Sequence, residues 1–252
     1  MISHGNGGGV ASHVDLALAL AQAGFVVAAP QHPGDSLGDA SALASPMLFV
    51  ERGHQVRATI DALLTRWPGH ARIDQDRIGA YGFSAGGFTV LTLLGAHADL
   101  ARIAPHCAAT PEFVCDVLRA AKSPLLTQAP AAASDFATDP RVRAAVLVAP
   151  GLGFTVAGDD LRDVRVPVQL WTGDRDTTVP PSSNAVPLQR AWSGATLETH
   201  VVPGAAHLSF LAPCRLLRPP MLCADPPGLD RAAMHRAMDA QVVAFFQRTL
   251  AR

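Results

Sequence analysis

Charge is scarce in this chain, and the charges that are present nearly balance. Only 16% of the residues are charged, the formal net charge is −1, and no run of basic residues occurs. Proteins that bind nucleic acid or anionic membrane surfaces normally carry a basic patch or stripe. The composition therefore predicts neither of these partners and suits a small, neutral substrate better.

Long apolar runs are also missing. A transmembrane helix needs about 18 or more consecutive apolar residues, and the longest candidate, residues 16–30, is interrupted by Gln22 and Gly24. We therefore expect no stable insertion into a membrane. The given sequence shows no signal peptide at its start, so we expect a periplasmic or secreted protein if a signal lies upstream of Met1, and a cytoplasmic one otherwise.

Cysteines are few, and their spacing is not that of a zinc site. The four form two local pairs, Cys107 with Cys115 and Cys214 with Cys223. Local pairs are typical of disulfides that staple loops, but buried free thiols explain the residues alone equally well. The glycine-rich segment 3–9 lacks both the lysine of a phosphate-binding loop and the spacing of the dinucleotide fingerprint. We expect neither a metal nor a cofactor.

The residues that are present suit one globular domain. The chain has 252 residues, of which 49% are apolar, and this is enough to bury a single sizeable core over residues 1–252. We expect strands at 25–30, 77–82, 142–149, 166–172 and 197–203, and helices near 51–67, 88–94, 112–121 and 232–250. This alternation predicts an α/β fold with a mostly parallel sheet and helices on both faces.

The most informative motif is Gly82-x-Ser84-x-Gly86, which lies between a predicted strand and a predicted helix. A serine hydroxyl is a weak nucleophile unless a tight turn presents it to a base. Glycines two residues before and after the serine let the strand and the helix approach each other closely. Ser84 is therefore a candidate nucleophile, although the motif alone also fits a glycine-rich turn with an incidental serine.

A base and an acid follow Ser84 in the chain order that this type of site requires. His207 comes in the loop after the strand at 197–203, and Asp176 comes in the loop after the strand at 166–172. The carboxyl ends of parallel strands meet at one edge of a sheet, where sites are built. Asp174 competes with Asp176 for the acid role, and we favour Asp176 because it lies further into the loop.

The remaining requirement is a pair of backbone N–H groups that stabilise a developing oxyanion. Ala85, immediately after the candidate nucleophile, is expected to supply one. The glycine-rich segment Ser3-His-Gly-Asn-Gly-Gly-Gly9 is expected to supply the other, with Asn6 as the donor and His4 as a scaffold residue. A plain flexible loop is the alternative interpretation of this segment.

With these motifs the chain resembles the α/β-hydrolase superfamily, and within it the dienelactone-hydrolase-like serine hydrolases related to platelet-activating-factor acetylhydrolases. The resemblance covers nearly the whole chain. It is carried by His-Gly-Asn-Gly near the start, Gly-Phe-Ser-Ala-Gly-Gly around Ser84, Gly173-x-x-Asp176-x-x-Val-Pro, and the tail from Ala206 through Cys214 and Cys223 to His235. Dienelactone hydrolases proper look to use a cysteine nucleophile, so Ser84 favours ordinary carboxylic esters instead.

The resemblance implies a triad of Ser84, Asp176 and His207, with oxyanion donors at Asn6 and Ala85. It favours disulfides between the two cysteine pairs and an exported protein. It also implies a strand before the His-Gly loop, so the first strands of the fold are expected to be missing from the given sequence, with reduced stability or association as the consequence.

The substrate pocket and the substrate are less well defined by the residues. His32, Phe83, Phe154 and Leu208 are candidates for the pocket, although His32 also suits a loop-ordering hydrogen bond, and aromatic residues here are often part of the core. Residues 100–140 interrupt the alternation and are either a small cap over the site or a surface excursion. The expected function is hydrolysis of small to medium neutral esters; acyl transfer on the same triad and a non-catalytic binding protein are the alternatives.

Overall fold

A computed structural model describes residues 1–127, 135–193, 195–214 and 220–251. Its strands are β1 (Ile2–Ser3), β2 (Ile78–Phe83), β3 (Val142–Val148), β4 (Val168–Gly173) and β5 (Leu197–Val202). Its α-helices are α1 (Val14–Gln22), α2 (Leu48–Thr65), α3 (Ala85–Leu93), α4 (Ile103–Ala109), α5 (Phe113–Ala120), α6 (Ala185–Ala191) and α7 (Arg231–Thr249). Short 3-10 segments lie at His70–Arg72, Leu100–Arg102, Pro124–Leu126, Gly153–Thr155, Gly158–Leu161, His207–Phe210 and Pro220–Cys223.

Over the described residues, the strands form one five-stranded sheet in the order β1-β2-β3-β4-β5. Every neighbouring pair is parallel. Because the strands all run the same way, their carboxyl ends lie along one edge of the sheet. The loops that follow β1, β2, β4 and β5 all start at that edge, and these loops carry the candidate site residues.

Each face of the sheet is covered by its own apolar core, because side chains along a strand alternate between the faces. One core contains residues from α2, α3, α4, α5 and α6, and the other contains residues from α1 and α7. Strand residues facing the first core include Ala80, Leu147 and Leu170, and those facing the second include Tyr81, Val146 and Trp171. The expectation of an α/β fold with a parallel sheet and helices on both faces is confirmed.

One expected strand is not present in the structure. Residues 25–30 have no strand assignment, and a hydrogen bond from the Ile2 N–H to the Ala28 carbonyl, at 2.9 Å, links this segment to β1. The physical reason is that β1 offers only two residues for pairing, so a regular ladder cannot form beside it. The apolar pattern of this segment serves packing instead: Phe25 and Val27 pack against the second core.

Both expected disulfides are present. Cys107 is bonded to Cys115, and Cys214 to Cys223. The first bond joins α4 to α5, which are the helices in the described part of the region 100–140 that was expected to form a cap. Residues 128–134 of that region lie outside the described residues.

The described helices include none with both the length and the apolar character needed to cross a membrane.

Candidate active site

Ser84 lies at the junction between β2 and α3 and has φ 56° and ψ −120°. A positive φ is unusual for a residue with a Cβ and is strained by about 1–3 kcal/mol. The turn is held by its neighbours: the Ser84 N–H donates to the Val148 carbonyl at 2.9 Å, and the Ser84 carbonyl accepts from the Gly151 N–H at 3.1 Å. The sharp turn places the side chain at the carboxyl edge of the sheet.

The two glycines of the motif are required by close backbone contacts. A Cβ on Gly82 would lie 2.1 Å from the Gly86 carbonyl oxygen, and a Cβ on Gly86 would lie 2.0 Å from the Ser3 carbonyl oxygen. Neither backbone oxygen can move away without breaking the turn or displacing β1. The motif therefore sets how closely α3 approaches both neighbouring strands.

Ser84, His207 and Asp176 form a continuous chain of hydrogen bonds. The Ser84 hydroxyl donates to His207 Nε2 at 2.9 Å, and His207 Nδ1–H donates to Asp176 Oδ2 at 2.7 Å. His207 and Asp176 are buried, with 5% and 4% of their surface exposed. In this arrangement the carboxylate fixes the imidazole tautomer that leaves Nε2 free to accept the serine proton.

The two competing aspartates have different partners. Asp176 Oδ1 accepts hydrogen bonds from the backbone N–H groups of Thr178 and Val179, at 3.0 and 2.8 Å, so its carboxylate is held in place from both sides. Asp174 instead accepts from the Gly204 N–H at 2.7 Å and ties the β4 loop to the β5 loop. Asp176, which the sequence favours, is the residue that contacts His207.

The turn that carries His207 is anchored on its far side. The backbone carbonyl of Ser209 accepts a hydrogen bond from His235 Nε2–H at 2.8 Å. The side-chain hydroxyl of Ser209 donates to Asp225 Oδ1 at 3.0 Å. The other nitrogen of His235 faces Asp15 at 2.6 Å. Burial lowers the pKa of His235, but the hydrogen bond and charge of Asp15 outweigh burial, so this pKa lies above its usual value.

The glycine-rich loop after β1 lies against the same site and is held by a buried ion pair that the sequence analysis missed. The side chains of Arg52, in α2, and Asp35 are 1% and 2% exposed, and Arg52 Nη1 lies 2.6 Å from Asp35 Oδ2. Asp35 accepts hydrogen bonds from the Asn6 side chain at 2.6 Å and from the Gly7 N–H at 2.8 Å. The guanidinium of Arg52 also donates to the His4 carbonyl.

A sequence signal for this pair does exist. Arg52 occupies a helical face that also carries Phe49 and Val56, three residues before and four after it, and both are buried. A charged residue at such a position requires a buried partner of opposite charge. Burial lowers the pKa of Arg52 to about 10, so the guanidinium is charged at neutral pH.

His4 and His32 act as scaffold residues beneath the loop. His4 Nδ1–H donates to the Gly5 carbonyl at 2.7 Å, and its Nε2 accepts from the His32 N–H at 3.3 Å. His32 is bonded to Ser3 at 2.9 Å and to Gln55 at 2.7 Å. Burial, reinforced by the charge of Arg52, lowers the pKa of His32 to about 3, so this imidazole is neutral.

A cavity of about 50 Å³ opens beside Ser84. Its polar residues are Asn6, Ser84, Glu112, Thr178 and Asn184, and its other lining residues are Leu48, Phe49, Ala85, Phe113, Val114, Val117, Leu118, Gly151, Leu152 and Val179. The candidate nucleophile Ser84 and both expected oxyanion donors, Asn6 and Ala85, therefore line one cavity. Helix α5 forms much of its wall.

None of the four expected pocket residues lines this cavity. His32 is fully buried under the loop, and Phe83 lies in the core with its ring 4.7 Å from that of His207. Phe154 stacks on His106 at 3.6 Å, and Leu208 packs against the second core. Phe83 faces the second core because side chains alternate along its strand. The other three lie in a loop or in short 3-10 segments, where no regular sequence pattern sets the direction of a side chain.

A larger cavity of about 380 Å³ lies at the opposite end of β2, where it is lined by Met1, Phe25, Ile78, Gly79 and Phe246 among others. It contains none of the three hydrogen-bonded residues. Ligands of open α/β sheets bind at the carboxyl ends of the strands. The small cavity beside Ser84 is therefore the candidate site.

One other group of described residues has the geometry of a metal site. Ligand atoms of Asp15, His235 and Asp239 lie within 4.8 Å of one another. The 2.6 Å ion pair between Asp15 and His235 already accounts for two of the three. Burial and the charge of Asp15 raise the pKa of Asp239 to about 7, so a proton on Asp239 satisfies the third.

No protein-family model matches this sequence, and no curated protein matches it either. The functional interpretation therefore depends on the geometry of the site.

Proposed function

We propose that this chain is a serine hydrolase of the α/β-hydrolase type that cleaves carboxylic esters of small to medium neutral substrates through an acyl-enzyme. The observation that carries the proposal is the pair of hydrogen bonds from Ser84 to His207 and from His207 to Asp176, at 2.9 and 2.7 Å. A serine on a sharp turn, an imidazole that can accept its proton and a buried carboxylate that orients the imidazole together make an activated nucleophile.

In the first half of the proposed reaction, Ser84 Oγ attacks the ester carbonyl carbon while His207 Nε2 takes the serine proton. The carbonyl oxygen becomes an oxyanion, which the backbone N–H groups of Ala85 and Asn6 stabilise. Ala85 is the first residue of α3, so its N–H has no partner within the helix and lies at the positive end of the helix dipole. Each such donor contributes about 3–4 kcal/mol to transition-state stabilisation.

The tetrahedral intermediate then collapses. The bond between the carbonyl carbon and the alcohol oxygen breaks, and the His207 imidazolium gives its proton to the leaving alcohol. In the second half, His207 takes a proton from water, which attacks the acyl-enzyme, and the acid leaves as Ser84 recovers its proton. Asp176 stabilises the imidazolium in both halves and keeps its own charge.

The test is the release of p-nitrophenol from acetate, butyrate and octanoate esters by the purified chain. We expect turnover by the wild type and loss of about 10⁶-fold in kcat for Ser84→Ala. Ser41→Ala is the matched control and is expected to keep wild-type turnover, because the exposed Ser41 hydroxyl donates to Asp39 and Ser41 does not line the cavity. Equal turnover by wild type and Ser84→Ala would overturn the proposal, and no turnover by a folded wild type would favour a binding protein.

A further inference from the structure

The cavity beside Ser84, called the slot below, has walls from two helices. Leu48 and Phe49 of α2 line one side, and Phe113, Val114, Val117 and Leu118 of α5 line the other. On the α2 side the wall is part of the core: Phe49 is 5% exposed and packs edge-on against Phe88, with ring centres 5.9 Å apart. The width of the slot therefore depends on where α5 lies.

Helix α5 is attached at its start through Glu112. The carboxylate of this buried residue accepts hydrogen bonds from Ser183 and from Asn184, the latter at 3.2 Å, and lies 3.0 Å from His106 Nε2. Ser183 and Asn184 belong to the segment that follows the Asp176 loop. The first turn of α5 is thus tied to the chain that carries the catalytic acid.

A second attachment lies one turn further along α5. Cys115, which is completely buried, is bonded to Cys107 of α4, and Arg119 donates to the Cys107 carbonyl. Cys115 is flanked on its own helix by the lining residues Val114, Val117 and Leu118. The disulfide therefore holds the part of α5 that closes the slot against α4, whose Ile103 is buried in the same core as Leu48 and Phe49 of α2.

The volume of the slot limits what it can hold. An engineered apolar cavity of about 150 Å³ holds one benzene molecule, which has six carbons. The slot, at about 50 Å³, has about a third of that volume. Apart from its carbonyl, a butyryl group has three carbons and an octanoyl group has seven. The longer chain exceeds the space between α2 and α5.

We propose that the slot is the acyl subsite, that it takes short, uncharged acyl chains up to about butyryl, and that the Cys107–Cys115 disulfide sets this limit by holding α5 in place. This inference rests on the proposed function, because it assigns the slot to the acyl side of an ester. The lining is apolar over both walls, and among the described residues that line the slot Glu112 is the one with an acidic side chain. An anionic acyl chain is therefore disfavoured by both desolvation and charge.

The test measures kcat/KM for p-nitrophenyl acetate, butyrate and octanoate, so that only the acyl chain changes. For the wild type we expect kcat/KM for the octanoate ester to be at least about tenfold lower than kcat/KM for the butyrate ester. The double variant Cys107→Ala/Cys115→Ala is expected to raise the ratio of octanoate to acetate by about tenfold. Its matched control is Cys214→Ala/Cys223→Ala, which removes a disulfide outside the slot and leaves this ratio unchanged.

Two substitutions at Val117 provide a second comparison that does not depend on removing a disulfide. Val117 is half-buried and lines the slot, so the fold is expected to accept either change. Val117→Phe is expected to fill the slot and to lower the ratio of kcat/KM for butyrate to that for acetate. Val117→Ala is expected to widen the slot and to raise the ratio of kcat/KM for octanoate to that for acetate. Acyl-chain ratios that stay constant in all of these variants would overturn the inference while leaving the esterase proposal intact.

The alcohol side needs its own control. Methyl and butyl acetate differ only in the alcohol, and their kcat/KM ratio is expected to be the same in the wild type and in both Val117 variants. A change in this ratio, with constant acyl-chain ratios, would overturn the inference by placing the alcohol in the slot.

A binding measurement tests whether the slot prefers short acyl chains even if the protein cleaves no ester. We expect ethyl butyrate to raise the melting temperature of Ser84→Ala more than ethyl octanoate does, and the additional change Val117→Phe to abolish this difference. Equal effects of the two esters would overturn the inference. A wild type without turnover but with the expected binding pattern would remove the proposed function and keep a binding slot for short acyl esters.

Discussion

Ser84 combines a reactive position with an unfavourable backbone conformation. Its φ of 56° is a value that glycine adopts freely and that an L residue with a Cβ rarely adopts. Two backbone hydrogen bonds hold the residue there against this preference: its N–H donates to the Val148 carbonyl, and its carbonyl accepts from the Gly151 N–H. Any residue with a Cβ at this position is expected to bear the same backbone strain as serine.

The first prediction follows from that strain. Ser84→Gly removes the Cβ and is expected to have a higher free energy of unfolding than Ser84→Ala, by about 1 kcal/mol. Both variants lack the hydroxyl, so activity does not enter the comparison. Urea unfolding of the two proteins checks the difference. A Ser84→Ala protein that is the more stable of the two would show that the turn is not strained.

The second prediction separates the two neighbouring aspartates. Asp176→Asn is expected to lower kcat for the acetate ester by about 10³–10⁴-fold, because an amide does not fix the imidazole tautomer as a carboxylate does. Asp174→Asn is the matched control: it weakens one hydrogen bond to Gly204, with a cost of about 1 kcal/mol in stability. Similar losses of kcat in the two variants would contradict the assignment of the acid.

Among the elements, α2 is unusual because a buried charge lies on its apolar face. Arg52 links this helix to α3 through a 3.0 Å hydrogen bond to Thr89, and to the loop after β1 through Asp35 and His4. One guanidinium thus sets the position of the loop that carries Asn6. The helix has two roles, since its start lines the slot and its middle supports the oxyanion loop.

The third prediction tests this support. Asp35→Ala leaves Arg52 buried without its acidic partner and is expected to cost about 3–5 kcal/mol of stability. The matched control is Asp61→Ala in the same region of the chain, because Asp61 is 55% exposed in its ion pair with Arg141; its loss is expected to cost about 0–1 kcal/mol. Denaturant unfolding measures both. Equal costs would mean that the Asp35–Arg52 pair has no special structural role.

At the scale of the whole molecule, the stability of the fold depends on pH through Asp239, which is not part of the hydrogen-bonded chain of Ser84, His207 and Asp176. In the folded chain, burial and the charge of Asp15 raise the pKa of Asp239 from 3.8 to about 7. At pH values between 3.8 and about 7, Asp239 is protonated in the folded state and has lost its proton in the unfolded state. The stability contributed by Asp239 is therefore complete below pH 3.8 and is lost as the pH rises through about 7.

The fourth prediction uses Asp239→Asn, which stays neutral at every pH. We expect this variant to match the wild type in stability near pH 4 and to exceed it near pH 8, because the wild type then carries an unfavourable charge beside Asp15. Urea unfolding of both proteins at the two pH values checks the sign. A difference between wild type and Asp239→Asn that is constant with pH would contradict the raised pKa.

Much of the fold and of the site geometry could be predicted from the sequence where the cause is local. Short apolar runs between helical segments predicted β2 to β5, and the glycines around Ser84 predicted the turn between β2 and α3. The segment 25–30 has an equally apolar pattern but no strand assignment, because a strand also needs a neighbour long enough to pair with. Local pattern says nothing about the length of that neighbour.

The sequence by itself determined the order of β2 to β5 and of α2, α3, α5 and α7 along the chain, the turn at Ser84, and the presence of an acid and a base in later loops. These follow from residue spacing along the chain, whereas β1, α1, α4 and α6 were not predicted. Only the tertiary structure decided that Asp176 and not Asp174 contacts His207, that Arg52 pairs with Asp35, and that α5 lines the cavity in place of Phe154 or Leu208. These choices depend on distances between segments that are remote in sequence, and such distances are set by how the sheet and its two helix layers pack.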